Sequence, residues 1–556
     1  MSTILTLHDP RQAARLYAQG VWQHDTLYSL LHRHAQQRPQ AMALRDRERR
    51  LDWSSLLSWV DAVAADLEQA GLARGARVSV WLPNRVEATV LLLACSRNGY
   101  VCNASLHQNY TVQEIVTLLE RVNCEAFIGE DGFGANSREV DAAALIGAVA
   151  GLRRIVWLAP RGAQGNPRGG TPFPDVHDGR TPQAVPDDDP DKITYLAFTS
   201  GTTGLPKAVM HSDNTLLANG RAMVKDWKLA HDTRILSLSP ASHHIYTVAL
   251  EQSLVAGCEL VMNDPPPGNK IMDWMLETGA TYVMGVPTHA MDILAEAQQR
   301  GMQGLGRVRM FYMAGAAIPP EVAQAFLARG VTPQNVYGMT ENGSHQYTLP
   351  DDTVETIVHT CGRACHGYEI KLWSQDNPDQ EVAAGEVGEI GSRGGNLMLG
   401  YFNNQAATEK SFNRHGWFLS GDLGRIDHKG CLVVVGRKKD LIIRGGHNIY
   451  PSQIEDRAVS HPAILKAAAF PVADTRLGEK VCLAVLPLEG RRLDGEAMLQ
   501  HLHQAGLSKY DMPEYFIVLE QFPLTPSGKI LKRELVEWVK AGRIAPTPVR
   551  FNGAKP

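Results

Sequence analysis

Residues 195–212 read YLAFTSGTTGLPKAVMHS, and this stretch decides how the chain is interpreted. Residues 193–198 favour a β-strand and residues 208–210 are again apolar, so residues 199–207 are predicted to form a tight loop between two strands. Glycines in such a loop allow positive φ angles that turn backbone N–H groups toward one anion, and Lys207 adds a positive charge. The composition therefore predicts a phosphate-binding loop, with a polar hairpin turn as the alternative.

The loop differs from the Walker pattern of P-loop nucleotidases. That pattern ends in Gly, Lys and then Ser or Thr, whereas here Pro206 precedes Lys207 and Ala208 follows it. A P-loop nucleotidase is therefore disfavoured, and the loop indicates another kind of phosphate chemistry.

The length and the charge of the chain restrict the function classes. Its 556 residues exceed what one hydrophobic core usually supports, so at least two domains are expected. A formal net charge of -4 gives no reason to expect a nucleic acid as partner. The sequence shows neither a secretory signal nor an apolar run of membrane-spanning length, so we expect a cytoplasmic location and no membrane partner.

Helix and strand patterns alternate along most of the chain, which predicts α/β layers. Residues 52–72 carry apolar side chains at helical spacing, and residues 78–82 then form a short buried strand pattern. Residues 161–191 are rich in Gly, Pro and Asp, so a surface connection is expected there. After Gly436 the composition changes, and the rest of the chain is long enough for a small second domain.

The stretch at 195–212 resembles the signature of the adenylate-forming superfamily, which includes acyl-CoA synthetases, luciferases and peptide-synthetase adenylation domains. The resemblance implies a large N-terminal adenylation domain of several subdomains at 1–437 and a small, mobile α+β domain at 438–556. It also implies that ATP, Mg²⁺ and coenzyme A take part in the reaction. The phosphate contacts implied in the signature loop are Thr199, Ser200, Gly201, Thr202, Thr203 and Lys207.

Residues 337–341 read YGMTE and resemble the adenine and magnesium motif of the same superfamily. The resemblance implies that Tyr337 stacks on adenine, that Thr340 donates to the phosphate and that Glu341 binds Mg²⁺. An aromatic face suits a purine, and a carboxylate suits magnesium that bridges phosphates. Further nucleotide contacts implied by the resemblance are Gly315, Ala316, Gly338 and Met339.

Residues 420–423 read SGDL and resemble the ribose motif, with serine in place of the usual threonine. The resemblance implies that Asp422 accepts hydrogen bonds from the two ribose hydroxyls and that Arg437 contacts ribose and phosphate. A Gly-Asp pair outside this context would be an ordinary turn.

The C-terminal part carries motifs that resemble those of a rotating domain. Lys439 matches the inter-domain hinge, so the small domain is expected to rotate between two half-reactions. Gly445, Gly446 and His447 follow and are implied beside the coenzyme A channel. Lys529, at the end of PLTPSGK, is implied as the lysine that offsets phosphate charge during adenylation. Acetylation would remove this charge, so a lysine acetyltransferase and a deacetylase are candidate partners.

The sequence constrains the acyl side of the site less tightly. In the stretch PASHHIYT at 240–247, His243 fits the spacing of the superfamily's acyl-site histidine, whereas a one-residue shift favours His244. A core or helix-capping histidine is the alternative for either residue. Small residues at 314–317 leave room for an acyl group, and no cation stands out as partner for a second carboxylate. A mostly apolar monocarboxylic acid is therefore predicted. The expected lining residues are Tyr246, Val286, Pro287, His289 and Met339.

The predicted function is an AMP-forming acid:CoA ligase, and the local sequence resembles ligases for medium-chain or alicyclic acids such as cyclohexanecarboxylate. Transfer to a carrier protein and an aryl acid as substrate stay open as alternatives, and so does a homodimer. A zinc site at Cys361, Cys365 and His366 is disfavoured because no second ligand pair at finger-like spacing accompanies them. The predicted catalytic residues are Lys529, His243, Thr340 and Glu341.

Overall fold

The computed structural model describes residues 4–163, 165, 167–199, 206–315, 318–524 and 529–551. Helices and strands alternate through most of this length, and the strands form four sheets. The predicted α/β class is confirmed. No helix in the described ranges is both long and apolar enough to cross a bilayer.

The strands are listed in chain order. The first are Met42–Arg45 (β1), Arg50–Asp52 (β2), Arg77–Trp81 (β3), Val101–Asn103 (β4), Ala126–Glu130 (β5), Arg154–Leu158 (β6), Ile193–Thr199 (β7) and Lys207–Ser212 (β8). Next come Arg234–Ser237 (β9), Glu259–Met262 (β10), Tyr282–Gly285 (β11), Met310–Met313 (β12), Thr332–Met339 (β13), Gly343–Tyr347 (β14), Arg363–Ala364 (β15), Tyr368–Trp373 (β16) and Gly388–Gly394 (β17). The last are Phe418–Ile426 (β18), Leu432–Arg437 (β19), Ile442–Arg444 (β20), His447–Ile449 (β21), Ile464–Asp474 (β22), Gly478–Pro487 (β23), Tyr515–Val518 (β24) and Thr547–Pro548 (β25).

The helices surround and separate these sheets. The first are Pro10–Ala18 (α1), Leu27–Gln37 (α2), Trp53–Gln69 (α3), Val86–Asn98 (α4), Val112–Arg121 (α5), Ala142–Gly147 (α6), Asp213–Asp226 (α7) and His244–Ala256 (α8). The others are Ile271–Thr278 (α9), Pro287–Gln299 (α10), Pro320–Leu327 (α11), Val354–His359 (α12), Gln405–Lys410 (α13), Pro451–Val459 (α14), Gly495–Gln504 (α15) and Lys532–Lys540 (α16).

Two large sheets share one hydrophobic core. The six-stranded sheet has the order β6-β5-β3-β4-β7-β8, and the nine-stranded sheet has the order β15-β14-β13-β12-β11-β9-β10-β1-β2. Buried residues of α4, α7 and α8 belong to the same cluster as residues from both sheets. The helices between the sheets therefore bury apolar surface on two sides, and β9 to β13 are parallel neighbours whose carboxyl ends meet at one edge.

The later sheets carry the ribose motif and the small domain. Strands β16 to β19 form a four-stranded antiparallel sheet. A short 3₁₀ turn, Lys438–Asp440, then leads to the last sheet, in which β20 to β25 pack with α14, α15 and α16. This part has its own apolar clusters. A large N-terminal domain and a small C-terminal domain are present, while the boundary at 437/438 and the hinge stay predictions.

The local predictions agree with the structure where they can be compared. The helix expected within 52–72 is α3, and the strand expected at 78–82 is β3, shifted by one residue. The strands expected on either side of the phosphate loop are β7 and β8.

Candidate active site

The phosphate loop begins and ends at one point of a sheet edge. β7 ends at Thr199 and β8 begins at Lys207, and these two residues are register partners in an antiparallel pair. The Thr199 hydroxyl lies 3.5 Å from the Lys207 carbonyl oxygen. The predicted contacts Ser200, Gly201, Thr202 and Thr203 lie outside the described residues.

A tyrosine that the sequence did not single out links Lys207 to Glu341. The Lys207 ammonium lies 4.3 Å from the centre of the Tyr401 ring, which is a cation–π contact. The Tyr401 hydroxyl donates to the Glu341 carboxylate at 3.0 Å. Burial raises the pKa of Glu341, and the charges of Lys207 and Lys529 oppose this rise. A carboxylate therefore faces two cations beside the phosphate loop.

The adenine motif lies at the carboxyl edge of the nine-stranded sheet. A Cβ on Gly338 would come within 1.8 Å of the Gly343 carbonyl oxygen, so this close approach of β13 to β14 requires glycine. The register of the two strands shifts here, between Tyr337 and Met339. The Met339 N–H donates to the Asn342 side-chain oxygen at 3.0 Å. Such an irregularity re-aims the side chains around it.

Tyr337, Asp422 and Arg437 form one contact group. The Tyr337 hydroxyl donates to one carboxylate oxygen of Asp422 at 3.0 Å, and Arg437 Nε lies 3.2 Å from the other oxygen. Asp422 and Arg437 are register partners on β18 and β19. Burial raises the pKa of Asp422, while Arg437 and the tyrosine hydroxyl lower it. The predicted adenine and ribose residues are thus in direct contact.

Thr340 is supported by a buried histidine. The Thr340 carbonyl oxygen accepts a hydrogen bond from His211 Nε2 at 2.6 Å, and His211 Nδ1 lies 3.0 Å from the Thr215 hydroxyl. Burial lowers the pKa of His211 to about 4, so this imidazole is neutral at pH 7. Sequence reasoning missed this residue, and its place within the signature stretch was the available signal.

His243 and His244 have different neighbours. His243 caps α8, where its Nδ1 accepts from the Ile245 N–H at 3.2 Å. Burial lowers the pKa of His243 to about 3, and a nearby positive charge on Lys529 adds to that effect. His244 instead stacks on His211 with ring centres 5.5 Å apart. Burial lowers its pKa as well. His243 is therefore the one whose charge interaction reaches Lys529.

Predicted acyl-side residues gather around Gly315. Its φ of 88° lies in the left-handed region that favours glycine, and a Cβ there would lie 3.7 Å from Val286. The Val286 N–H donates to His289 Nδ1 at 3.4 Å. Tyr246 faces α4 instead, because its hydroxyl pairs with that of Thr89 at 2.5 Å. Ala316 lies outside the described residues.

Lys529 reaches this group from the C-terminal domain. Its charge interacts with those of Asp422, Glu341 and Arg437. Burial lowers the pKa of its ammonium group, Arg437 and Lys439 lower it further, and the two carboxylates raise it. The residue as a whole stays exposed, whereas its ammonium end is desolvated among these charges. A lysine from one domain and two carboxylates from the other therefore share one electrostatic environment.

The hairpin assigned to coenzyme A contacts its own domain. Gly445 and Gly446, with φ of 57° and 85°, turn the chain from β20 to β21. The Gly445 N–H donates to the Leu477 carbonyl oxygen at 2.8 Å, and His447 Nε2 lies 2.9 Å from the Asp511 carboxylate. Within the described ranges, no hydrogen bond or ion pair joins this hairpin to the carboxylates of the nucleotide site.

The cysteines near residue 361 are part of the packed interior. The Cys361 thiol lies 3.7 Å from the Asn335 side-chain oxygen, and the Asn396 amide lies 3.7 Å from the Cys365 sulfur. A search of the described residues finds no group of three His, Cys, Asp or Glu side chains arranged to hold a metal.

Comparison with known sequences decides the family. The sequence profile of the AMP-binding enzymes matches residues 31–402, and that of their C-terminal domain matches residues 453–529. The chain belongs to the AMP-binding enzyme family. As an AMP-binding enzyme it is an AMP-forming acid:CoA ligase, which confirms the function class predicted from the motifs.

Relatives of this AMP-binding enzyme match over almost their whole length. A medium-chain fatty-acid–CoA ligase of Escherichia coli (strain K12) is 30% identical over 536 residues, which cover 96% of this chain and 93% of the relative. A salicylyl-CoA synthase / salicylate adenylyltransferase of Streptomyces sp is 30% identical over 559 residues, covering 96% and 97%. The crystal structure of ATP-bound MatB from Rhodopseudomonas palustris superposes with a TM-score of 0.80 at 28% identity, covering 93% of this chain and 99% of that one.

AMP-binding CoA ligases use ATP, Mg²⁺ and coenzyme A, and the residues present fit these groups. Mg²⁺ in nucleotide sites is held by one or two carboxylates together with phosphate oxygens, and Glu341 is such a carboxylate beside the phosphate loop. Asp422 offers carboxylate oxygens for ribose hydroxyls, and Gly338 keeps the backbone close to its neighbour without a side chain.

Proposed function

We propose that this acid:CoA ligase activates a mostly apolar monocarboxylic acid of medium-chain or alicyclic shape, such as cyclohexanecarboxylate. The observation that carries the proposal is the neutral character of the acyl side. Burial lowers the pKa of His243 to about 3, and it also lowers the pKa of His289. The ring of His107 lies 6.4 Å from that of His243, and burial lowers its pKa to about 4. These neutral imidazoles supply no counter-ion for a second carboxylate, so an uncharged acyl group is favoured.

In the first half-reaction the substrate carboxylate attacks the α-phosphorus of ATP, and the bond from this phosphorus to pyrophosphate breaks. Negative charge grows on the phosphate oxygens, and the Lys529 ammonium, whose charge interacts with those of Asp422 and Glu341, offsets that charge. Lys207 holds the departing pyrophosphate from the loop side. Mg²⁺ held by Glu341 supplies further neutralisation of phosphate charge when it is bound.

In the second half-reaction the coenzyme A thiolate attacks the acyl carbonyl carbon, the bond to AMP breaks, and thioester and AMP are released. The C-terminal domain rotates about Lys439 between the two steps and brings the Gly445–Gly446 turn to the acyl-adenylate. Two observations support this step. The turn contacts its own domain while Lys529 shares the environment of the nucleotide-site carboxylates, and the turn has no side chains that would narrow a thiol channel.

Pyrophosphate release and thioester formation over a panel of acids test the proposal. We expect the highest kcat/KM with hexanoate to decanoate or with cyclohexanecarboxylate, and thioester formation with free coenzyme A. ATP consumption with none of the acids would overturn the reaction class. Thioester formation with an isolated carrier protein in place of coenzyme A would support the carrier-loading alternative instead.

An aryl acid is the second candidate substrate, because the salicylyl-CoA synthase is as similar to this chain as the fatty-acid ligase is. Salicylate and benzoate belong in the same panel, and a higher kcat/KM for either than for the aliphatic acids would replace the main proposal.

Acetylation of Lys529 is proposed as a way to switch off adenylation, since it would remove the ammonium charge from the site. Acetylated protein that still releases pyrophosphate at the parent rate would contradict this. A cytoplasmic location and a homodimer stay predictions from the sequence.

A further inference from the structure

Helix α8 carries a carboxyl group that the reaction described above does not use. Glu251 is 1% exposed, and neither of its carboxylate oxygens has a hydrogen-bond partner among the described residues. The next residue, Gln252, is fully buried, and its side-chain carbonyl oxygen also lacks a partner in that part of the chain. Buried polar groups are normally paired, so two adjacent exceptions need a cause.

Glu251 packs against α7 and lies near strands of both large sheets. A Cβ on Gly220 of α7 would come within 2.8 Å of the Glu251 Cβ, so the two helices are in direct contact here. The charge of Glu251 also acts on Tyr195 of β7 and on Tyr312 of β12. The carboxyl group therefore faces the sheet strands and not solvent.

The strands opposite α8 carry matching polar groups. Met284, Tyr312 and Gln334 are register neighbours on β11, β12 and β13, and the Gln252 amide lies 3.4 Å from the Met284 sulfur. The Gln334 amide nitrogen lacks a partner among the described residues, although its oxygen accepts from Tyr282. We call Glu251, Gln252 and Gln334 the buried polar set.

The position of the buried polar set points to the acyl group. β12 leads directly into Gly315, and α8 starts at His243, so the strand ends and the helix start both border the acyl side. β9 and β10 are parallel, so α8, which connects them, runs back along the strands and away from their carboxyl ends. Glu251 is eight residues beyond His243, which at 1.5 Å per residue is about 12 Å along the helix.

We infer that the acyl channel runs along α8 and ends at the buried polar set, and that the natural acid carries a hydroxyl group at its far end, which Glu251 and Gln252 bind. The inference deepens the proposed function and rests on it. Burial raises the pKa of Glu251 and so favours its neutral form. A neutral carboxyl group has one O–H donor, and its oxygens still accept hydrogen bonds. A hydroxyl group also donates and accepts, and it satisfies both partners without bringing a charge into the interior.

The test compares acids that differ only in the far hydroxyl. The pairs are 8-hydroxyoctanoate with octanoate and 4-hydroxycyclohexanecarboxylate with cyclohexanecarboxylate. For at least one pair we expect the parent enzyme to favour the hydroxylated acid about tenfold or more in kcat/KM for thioester formation, because a site built for a hydroxyl rejects the analogue that lacks it. Equal or higher kcat/KM for the plain acids in both pairs would overturn the inference.

Two variants test whether the Glu251 carboxyl group causes the preference for the hydroxylated acid. Glu251→Leu is expected to lose the preference for the hydroxylated acid while it keeps or improves turnover of the plain acid. Glu251→Gln keeps hydrogen bonding and is expected to retain most of the preference. The matched control is Ser253→Ala on the same helix, whose hydroxyl donates to the Cys258 carbonyl oxygen at 2.7 Å and which should leave the preference unchanged.

The outcomes separate this inference from the proposed function. If the plain acids are activated and Glu251→Leu leaves the ratio within each pair unchanged, the buried polar set holds only water, and the inference fails while the function stands. If the 4-amino analogue is used better than the 4-hydroxy acid, the hydroxyl assignment fails. If no acid releases pyrophosphate, the proposed function fails first.

Discussion

At the scale of single residues, the proposed nucleotide site contains one buried carboxylate, Asp422, and one half-buried carboxylate, Glu341, each beside a hydroxyl and a cation. Asp422 has both: the Tyr337 hydroxyl on one oxygen and Arg437 on the other. Glu341 has the Tyr401 hydroxyl, with Lys207 above the same ring. These partners hold both carboxylates in place, so the proposed contacts to ATP and Mg²⁺ would need little reorganisation.

Replacement of Asp422 by asparagine tests the ribose assignment. The Asp422→Asn variant keeps the size of the side chain but loses the charge that strengthens the two hydrogen bonds to ribose. A loss of about 1.5–3 kcal/mol corresponds to a rise of roughly tenfold to a hundredfold in the KM for ATP. The measurement is pyrophosphate release at varied ATP concentration.

Asp376→Asn, in an exposed turn, is the matched control and should leave the KM for ATP unchanged. An Asp422→Asn enzyme with the parent KM would show that this carboxylate does not bind the nucleotide.

At the scale of elements, α7 and α8 are packed backbone against backbone at one point. Gly220 allows the backbone of α7 to approach that of α8 at Glu251, where an added Cβ would meet the backbone carbonyl carbon at 3.0 Å. A backbone contact cannot be relieved by a side-chain rotation, so any larger residue must push the helices apart.

Gly220→Ala is therefore expected to lower stability although alanine favours helices. The overpacked contact costs about 1–3 kcal/mol and lowers the melting temperature by a few degrees. Gly147→Ala, at a helical glycine with open space around it, is the control and should be neutral or stabilising by roughly 0.5–1 kcal/mol. Equal melting temperatures for the two variants would mean that α7 and α8 are not held this closely.

Sequence analysis was most informative where the residues concerned lie in one continuous stretch. The local apolar pattern predicted β7 and β8. The resemblance of the motifs singled out Asp422 and Arg437, which are register partners in the structure. Tyr401 was missed because its contact with Glu341 joins residues 60 positions apart. Glu251 was missed because a single acidic residue in an apolar segment gives no sign of its surroundings.

At the scale of the whole molecule, buried neutral histidines make stability depend on pH. His345 is fully buried, neither ring nitrogen has a partner among the described residues, and burial lowers its pKa to about 3. The unfolded chain takes up the proton near the ordinary pKa of 6.5. Between these values the unfolded state binds more protons, so this residue costs stability as the pH falls below 6.5.

His345→Phe should remove that cost, since phenylalanine keeps an aromatic ring next to Tyr368 and takes up no proton. Relative to the parent, the variant is expected to gain about 2 kcal/mol between pH 6.5 and pH 5. The measurement is the difference in melting temperature between variant and parent at pH 7, 6 and 5. A difference that stays constant with pH would show that His345 takes up its proton equally in the folded and the unfolded protein.

The central claim is that Lys529 of the C-terminal domain serves adenylation, while the Gly445–Gly446 turn of the same domain serves thioester formation. Replacement of Lys529 by alanine tests it, with Lys540→Ala on the exposed side of α16 as control. The two half-reactions are measured separately: pyrophosphate release from ATP and acid, and thioester formation from synthetic acyl-adenylate and coenzyme A. The account predicts that Lys529→Ala loses at least a hundredfold in the first and stays within a few-fold of the parent in the second; equal losses in both half-reactions would contradict it.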